Sequence, residues 1–570
     1  APSLVMKILS IYPYTHISSA ALLINGKIVS AAQEERFNRK KMSTDFPINA
    51  INWCLNDNGL NFKDIDLIVV PWNPQKNINN VSMRWVNQLR WRGEMLTNIP
   101  ATLMRMINEK ESNSMSMSWG KNKLMFIDHH LCHAAFGFFQ SSFKNADILT
   151  IDGHGEAETC FLGTAKNNKI KKLDSVQYPH SIGLFYGTFT DFLGFKPDSD
   201  EWKVMALSSY ATKKNKYDQL ISKIYNLKGS YFELDLSYFD FYTFDRKKNF
   251  FSNKFIELFG IQRLKNDKIK KEHYAIAGAM QRHFEKIAIH LIKCLKKKGA
   301  SDNLIIGGGA AMNCVFNGKL DKLKIYKNSH ISYAPDDSGV SIGAALYAYH
   351  QFSKKSFARK EITSCYYGPE YSAKKIKKTL DQCKVNYLKP KNLEKYVAKK
   401  ISEKKLVGWF QGKMEFGHRA LGNRSILADP RDKKIKDIIN MAVKFREGFR
   451  PFAPAILKEK TSDIMEMPKH RNVFFMERAY KFKKKWSNTL KGVAHVDNTG
   501  RVQTVTKESN IKFYKLIKEF EHITGIPVLL NTSFNLNGEP IVMSPSDAIR
   551  TFYSCGLDIL VIGDFVIEKN

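Results

Sequence analysis

Twice in the first half of the chain an apolar run stops at glycines and gives way to small residues. Asp147-Ile-Leu-Thr-Ile leads into Asp152-Gly153-His154-Gly155, and Asn303-Leu-Ile-Ile leads into Gly307-Gly308-Gly309-Ala-Ala. An apolar strand, a glycine turn and then a helical pattern make the repeating unit of α/β folds, so an α/β first half is predicted. The N-terminus agrees. Lys7-Ile-Leu-Ser-Ile-Tyr reads as a strand, and Ala20-Ala-Leu-Leu-Ile and Lys27-Ile-Val-Ser-Ala-Ala meet at Asn25-Gly26, a strong hairpin signal. Pro47 opens a helix with Ile48, Ile51, Cys54 and Leu55 near one face, and Leu67-Ile-Val-Val reads as a buried strand.

A length of 570 residues calls for at least two domains. A polar, Lys-rich stretch at 351–361 follows the helical pattern 340–351 and marks the boundary, giving 7–355 and 363–570. Helical insertions are expected near 73–122 and 213–254. Beyond the boundary, strands at Leu406-Val-Gly-Trp-Phe, Ile526-Pro-Val-Leu-Leu and Ile559-Leu-Val-Ile alternate with helices. No internal repeat is evident. Lys and Arg number 89 against 55 Asp and Glu, a net charge of +34, which suits polyanionic partners but equally a solvated basic surface, since the cations are scattered. The eight cysteines form no C-x-x-C pair and read as reduced thiols. No apolar run reaches 18 residues and no signal peptide is evident, so a cytoplasmic protein without a membrane partner is expected. Met6 is the expected native start, with Ala1–Val5 a remnant ahead of it.

Four constellations carry chemistry. His129 and His133 sit four apart, so on a helix they share a face and can grip one divalent ion; clustered histidines at a helix N-terminus that only hydrogen-bond are the alternative. Such a site needs a further ligand, and Asp152 and Asp337 qualify because each sits at a glycine turn after a strand. Asp152-Gly153 at the end of an apolar strand lets backbone N–H groups approach a phosphate, although Asp-Gly is also a common tight turn. Gly307-Gly308-Gly309, ahead of Asn313, leaves bare backbone for a nucleotide. Ala334-Pro-Asp336-Asp337-Ser338-Gly339 leads into a small-residue helix able to pack closely. Together these describe an actin-like ATPase arrangement, and they resemble the metal and nucleotide site of the domain that transfers threonylcarbamoyl to tRNA.

The C-terminal half carries Glu415-Phe-Gly-His-Arg419-Ala-Leu-Gly-Asn-Arg424-Ser, Asn440-x-x-x-Lys444-x-Arg446-Glu-x-x-Arg450-Pro-Phe-Ala-Pro454, Asp497-x-x-x-Arg501 and Asn531-Thr-Ser-Phe-Asn535. With Glu34-Glu35-Arg36-Phe-x-Arg39-x-Lys41 and Glu201-Trp-Lys203-Val-Met205, these blocks resemble the O-carbamoyltransferases of the NodU/CmcH type over essentially the whole chain. The cations Arg419, Arg424, Lys444, Arg446, Arg450 and Arg501 lie among Gly, Pro, Phe and Ala rather than in solvated charge runs, as guanidinium forks that hold phosphates would.

The resemblance implies an actin-like N-terminal domain and a YrdC-like C-terminal one. In the latter, carbamoyl phosphate and ATP would give carbamoyl adenylate, with Arg419, Lys444, Arg450 and Arg501 on the phosphates and Arg424, Arg446 and Asn531 as further binding residues; Lys203, in the first domain, is a further cofactor-binding candidate. In the former, a metal, Fe²⁺ in the family, would be held by His129, His133, Asp337 and Asp152, with Gly153, Gly308, Gly309 and Asn313 around the nucleotide. The carbamoyl group would pass to a hydroxyl of a small-molecule, sugar or polysaccharide acceptor. His16, in Tyr14-Thr-His16-Ile-Ser-Ser, is the expected base because imidazole titrates near neutrality; a structural turn histidine is the alternative. The family usually has Asp after this histidine where this chain has Ile17, and His154 is another departure. Rival readings are a tRNA-modifying enzyme and a non-catalytic nucleotide-dependent binding protein. Trp85, Trp91, Tyr238 and Phe241 either stack on an acceptor ring or pack in cores, and a homodimer is a candidate assembly.

Overall fold

A computed structural model describes residues 5–74, 76, 99–100, 123–243, 249–353 and 359–569. They form two compact units of mixed α/β structure. One holds residues 1–34, 44–312 and 323–361; the other holds 362–570 together with two earlier pieces, 35–43 and 313–322.

The first unit contains the same sheet twice. Strands β1 (Lys7–Tyr12), β2 (Ser19–Ile24), β3 (Lys27–Gln33), β4 (Leu67–Val70) and β5 (Lys123–Phe126) lie in the order β3-β2-β1-β4-β5. Three antiparallel strands are extended by two parallel ones. Strands β6 (Asn145–Ile151), β7 (Glu158–Lys166), β8 (Lys169–Gln177), β11 (Asn303–Gly307) and β12 (Asn328–His330) repeat that order and those directions as β12-β11-β6-β7-β8. The repetition lies in strand order and direction, which the sequence does not display as a repeat. The β2–β3 turn fits its residues, with Asn25 at φ 49° and Gly26 at φ 79°, both in the left-handed region a tight hairpin requires.

Helices His129–Phe139 and Val340–Phe352 pack together at very short range. A Cβ on Gly343 would stand 2.0 Å from the Cys132 carbonyl oxygen, so only glycine permits the approach. The small-residue helix expected after Gly339 therefore serves to bring Asp337, at its head, to the histidine helix.

The insertion expected at 73–122 lies outside the described residues apart from 73–74, 76 and 99–100, as do Trp85 and Trp91. The stretch 213–254 is not mainly helical. Its described residues hold an α-helix, Lys216–Ile221, then a hairpin of β9 (Tyr225–Lys228) and β10 (Tyr231–Leu234), a 3-10 turn at Leu236–Tyr238, and the start of helix Asn253–Phe259. Gly229 at φ 50° makes the turn, and alternation of exposed Tyr231 with buried Phe232 and Leu234 is a strand's pattern. Tyr238 lies under the Lys254 ammonium at 4.3 Å, and Phe241 packs beside Tyr178 and Phe250.

In the second unit a seven-stranded mixed sheet comprises β13 (Val407–Phe410), β14 (Arg424–Ala428), β15 (Ala453–Leu457), β18 (Gln503–Val505), β19 (Val528–Ser533), β20 (Ile559–Ile562) and β21 (Phe565–Glu568). Their order is β18-β15-β19-β14-β13-β20-β21, and β16 (Ala479–Lys481) pairs with β17 (Thr499–Arg501) beside it. Helix Cys314–Leu323 joins this unit because Gly318 leaves room for the Ala479 carbonyl, 1.9 Å from where a Cβ would stand. Buried Arg478 then donates to the Asn317 carbonyl at 2.8 Å. Among the described residues no helix is long and apolar enough to cross a membrane.

Candidate active site

In the first unit, Asp152 follows β6, Gly308 and Gly309 follow the parallel neighbour β11, and Asp337 opens the turn before Val340–Phe352. All four thus lie at carboxyl ends of strands or the turns that follow, where open α/β sheets collect ligands. Helix His129–Phe139 turns His129 and His133 toward them. His129 Nε2 is 3.2 Å from Asp152 Oδ2 and 3.3 Å from Asp337 Oδ1; His133 Nε2 is 3.5 and 3.4 Å from the same atoms, and the two Nε2 atoms are 3.1 Å apart. Ligands about 2.0–2.1 Å from an ion at a tetrahedron's centre are roughly 3.3–3.4 Å apart, so the two histidine nitrogens are spaced from each other and from both carboxylates as a first-row divalent ion would hold them, and all four atoms lie within 4.8 Å of one another.

The outer atoms of His129, Asp152 and Asp337 are engaged, whereas His133 Nδ1 is buried with no hydrogen-bond partner among the described residues. His129 Nδ1 is 3.3 Å from the Pro71 carbonyl, which leaves Nε2 a lone pair to offer. Asp152 Oδ1 accepts the Gly309 N–H at 3.0 Å, and Asp337 Oδ2 accepts the Tyr12 hydroxyl at 2.8 Å. Glu156 accepts the His129 N–H at 2.9 Å and fixes the head of the histidine helix. Burial disfavours charge on His129, but the Asp337 carboxylate and the bond from Asp152 outweigh it and raise its pKa well above the imidazole norm. Burial likewise works against charge on Asp152, yet His129 and His133 hold it well below the usual carboxylate range. His130 is no part of this group. Both its nitrogens are engaged, by Thr150 Oγ1 at 2.6 Å and the Glu158 carbonyl at 3.0 Å, and burial pushes its pKa down to about 3.

Gly308 is the position where this arrangement is least tolerant. It sits at φ 84°, and a Cβ there would lie 2.1 Å from the Ile151 carbonyl oxygen. Gly308→Ala is therefore expected to lower thermal stability, with left-handed strain alone contributing about 1–3 kcal/mol. It should also weaken metal binding, because the Gly309 N–H that holds Asp152 moves with it. An unchanged melting temperature would contradict the account.

His16 is exposed on the loop joining β1 to β2, between left-handed Tyr14 and Ile17. Lys203, on helix Glu201–Ser208, pairs with Asp200 at 3.2 Å and lies between the Phe195 and Trp202 rings. The neighbouring Glu201 is pushed up to about 8 by burial and then by the Asp198 charge. With its folded pKa above the unfolded value of 4.5, Glu201 weakens the fold progressively as pH rises from 4.5 to 8. Glu201→Gln keeps the acceptor for the Asp198 N–H, so its gain in melting temperature should be absent near pH 4 and largest near pH 8. A gain independent of pH would rule this out.

In the second unit, Lys444 ends a π-helical turn, Ile439–Lys444, and left-handed Phe445 follows. Its buried ammonium donates to Asn535 Oδ1 at 2.7 Å, the Asn535 carbonyl at 2.9 Å and the Ser533 carbonyl. Burial depresses its pKa well below the lysine norm, and the charges of Arg446, Arg450 and Lys41 depress it further. Arg446, bonded to Asn440 Oδ1 at 2.7 Å, is depressed by burial and then by Arg450 and, more weakly, Arg501. Arg501 and Arg419 both act on the Cys314 thiol. The structure thus brings Lys444, Arg446, Arg450, Arg501 and Arg419 into one cationic group. Asn531 donates to Gln503 Oε1 at 2.8 Å and the Ala420 carbonyl at 3.2 Å, and its buried Oδ1 has no partner among the described residues.

Two residues stand elsewhere than the sequence suggests. Arg424 points inward over the Phe410 ring, 3.6 Å from its centroid, and donates to the carbonyls of Gln411, Gly412, Asn423 and Pro369. A guanidinium so engaged holds the loop together. Asn313 belongs with the second unit, unlike Gly308 and Gly309, and accepts the Phe316 N–H at 3.0 Å as a helix cap. The sequence assigns no role to Tyr12 or Glu156, nor to Glu415, although Glu415 heads one of the quoted blocks. Tyr12 had one signal, its place at the end of the first apolar run.

Comparison with known proteins accords with this geometry. Residues 7–346 match the family model Carbamoyltransferase N-terminus, and residues 398–569 match Carbamoyltransferase C-terminus. An uncharacterised protein of Synechocystis sp. is 35% identical, with 99% of this chain and 97% of that protein covered. Nodulation protein NolNO of Sinorhizobium fredii is 33% identical over 98% of this chain and 79% of its own length. Among solved structures, the activator of 2-hydroxyisocaproyl-CoA dehydratase from Clostridium difficile aligns over 61% of this chain and 95% of its own at 13% identity and a TM-score of 0.33, too slight a likeness to argue from. With both halves matched in order, the chain belongs to the carbamoyltransferase family and is a transferase enzyme.

Proposed function

We propose that this carbamoyltransferase activates its donor with ATP in the second unit and delivers the carbamoyl group to an acceptor hydroxyl in the first, which we read as actin-like, the second being YrdC-like. The observation that carries the first part is the buried cationic group around Lys444. Like charges removed from water repel strongly unless anions join them, and bound phosphates are the anions that fit guanidinium forks. Carbamoyl phosphate, ATP and water would yield carbamoyl adenylate, pyrophosphate and phosphate. Arg419, Lys444, Arg450 and Arg501 would hold the phosphate oxygens and offset their mutual repulsion. Arg446 lies against the Phe452 ring and adds to the field.

In the first unit the duplicated sheet supports the actin-like reading, with Gly153, Gly308 and Gly309 presenting backbone to a nucleotide. His129, His133, Asp152 and Asp337 would hold one divalent ion, Fe²⁺ by family resemblance. When bound, the ion supplies Lewis-acid polarisation of a carbonyl oxygen. Tyr12 and the Gly309 N–H keep the two carboxylates aimed inward. His16 is the proposed base for the acceptor hydroxyl, its exposed ring free to meet a substrate entering from solvent.

Incubating the protein with ATP and carbamoyl phosphate, with no acceptor present, tests the donor half. Pyrophosphate and carbamoyl adenylate are expected, and neither in Arg450→Ala. Absence of both products from a folded, metal-loaded protein would overturn the reading.

A further inference from the structure

The segment Glu35–Ser43 follows β3 in sequence yet folds with the second unit. It is a closed loop. Glu35 Oε2 accepts the Met42 N–H at 2.6 Å, Asn38 Nδ2 donates to Ser43 Oγ at 2.8 Å, and Arg39 and Met42 both take left-handed backbone. From this loop two arginines reach the backbone of two others. Arg36, 3% exposed, donates through Nη2 to the Gly417 carbonyl at 2.8 Å. Arg39 sets its fork on adjacent carbonyls, Nη1 on Ile541 and Nη2 on Pro540, each at 2.8 Å.

Both targets are loops of the cationic site. Gly417 lies in 415–424, which carries Arg419. Glu415 gathers that loop from within, its Oε1 accepting the N–H groups of Leu421 at 2.7 Å, Asn423 at 2.8 Å and Arg424 at 3.2 Å. Pro540 and Ile541 close the loop after β19, where Val542 N–H bonds the Phe534 carbonyl at 2.9 Å. That loop carries Asn535, the acceptor of Lys444.

We propose that Arg36 and Arg39 are positioning residues of the donor-activating reaction, fixing through backbone carbonyls the loops that present Arg419 and the Asn535–Lys444 pair. The inference rests on the reading that this site binds phosphates. A fork on two neighbouring carbonyls is something a lysine, as a point donor, cannot reproduce. The placement also works against stability alone. Burial disfavours the charge of Arg39; the Asp547 carboxylate, 3.7 Å from its Nε, offsets only part of that cost, and Arg36 and Arg550 add repulsion, so a neutral clamp would serve better if holding the fold were the whole purpose. The same loop carries Lys41, whose charge acts on Lys444.

The test uses full-length Arg36→Met, Arg39→Lys and Arg39→Ala, with melting temperature, KM and kcat for pyrophosphate release, calorimetric ATP binding and amide hydrogen exchange. A positioning role requires folded Arg39→Lys and Arg36→Met to bind ATP at least tenfold more weakly. It also requires faster exchange in 417–424 and 535–541, with partial recovery of Arg39→Ala by millimolar methylguanidinium. Lower melting temperatures with unchanged KM, ATP affinity and exchange would make these arginines merely structural and overturn the proposal. Should the parent protein release no pyrophosphate, the donor reading fails, while ATP affinity and exchange still decide the positioning role. If ATP does not bind the parent either, unaltered exchange in the two loops overturns the proposal.

Discussion

Lys444→Met is expected to lower pyrophosphate release from ATP and carbamoyl phosphate by about 10²–10³-fold, the usual loss when one preorganised donor to a developing anion is removed. The ammonium is held before substrate arrives: Asn535 and Ser533 fix it from one side, while Arg446 and Arg450 press on it electrostatically. A phosphate entering this group meets donors already largely stripped of water, Lys444 and Arg450 being buried and Arg446 and Arg501 half-buried. Stability should move far less than rate, because two contributions oppose. Removing the ammonium leaves the Asn535 and Ser533 acceptors short of a donor, at about 1–3 kcal/mol for each that water cannot reach. It also removes a buried cation from a field of like charge, which is favourable. A small change in melting temperature with a large fall in rate is thus the signature to look for. A rate within threefold of the parent would dismiss Lys444 from the site, and an unfolded variant would show that its bonds to the 533–535 loop dominate instead.

Much of this could be read from residues alone, and the exceptions share a cause. The hairpin at Asn25-Gly26, the strands ending at Asp152 and Gly307 and the small-residue helix at 340–352 follow from local chemistry, and the structure contains them. The pairing of His129 and His133 follows from helical spacing. Their meeting with Asp152 and Asp337 required tertiary structure, which local signals suggested only through the glycine turns. The duplicated sheet left no trace, because strand order is set by which apolar faces pair and not by identity. Arg424 misleads because a buried guanidinium bonded to carbonyls has the same sequence neighbourhood as one that binds phosphate. Tyr12 acts through a long-range bond and Glu415 through three turn-specific ones, which no periodicity reports. The pieces 35–43 and 313–322 fold away from their chain neighbours, an arrangement that no local pattern encodes.

Asp337→Asn and His133→Ala are expected to abolish metal-dependent carbamoyl transfer to a hydroxyl, by at least about 10³-fold, while leaving acceptor-free pyrophosphate release within a few-fold of the parent. Four donor atoms, each histidine nitrogen 3.1–3.5 Å from the other three and all within 4.8 Å of one another, each aimed by a bond to its outer atom or by its helix, leave little slack for a missing ligand. An amide at 337 still accepts the Tyr12 hydroxyl, so the fold around it should persist, but it exchanges an anionic ligand for a weak neutral one. Metal content measured by mass spectrometry should fall from about one ion per chain to a small fraction of that. Tyr12→Phe grades the effect: losing only the bond that orients Asp337, it should weaken metal affinity by about 10–100-fold and transfer correspondingly, with saturating metal restoring most activity. The pattern across the three variants is the test. If Asp337→Asn and His133→Ala lose metal yet keep transfer, the cluster is not the transfer site. If they lose pyrophosphate release as well, the proposed division of labour between the two units is wrong.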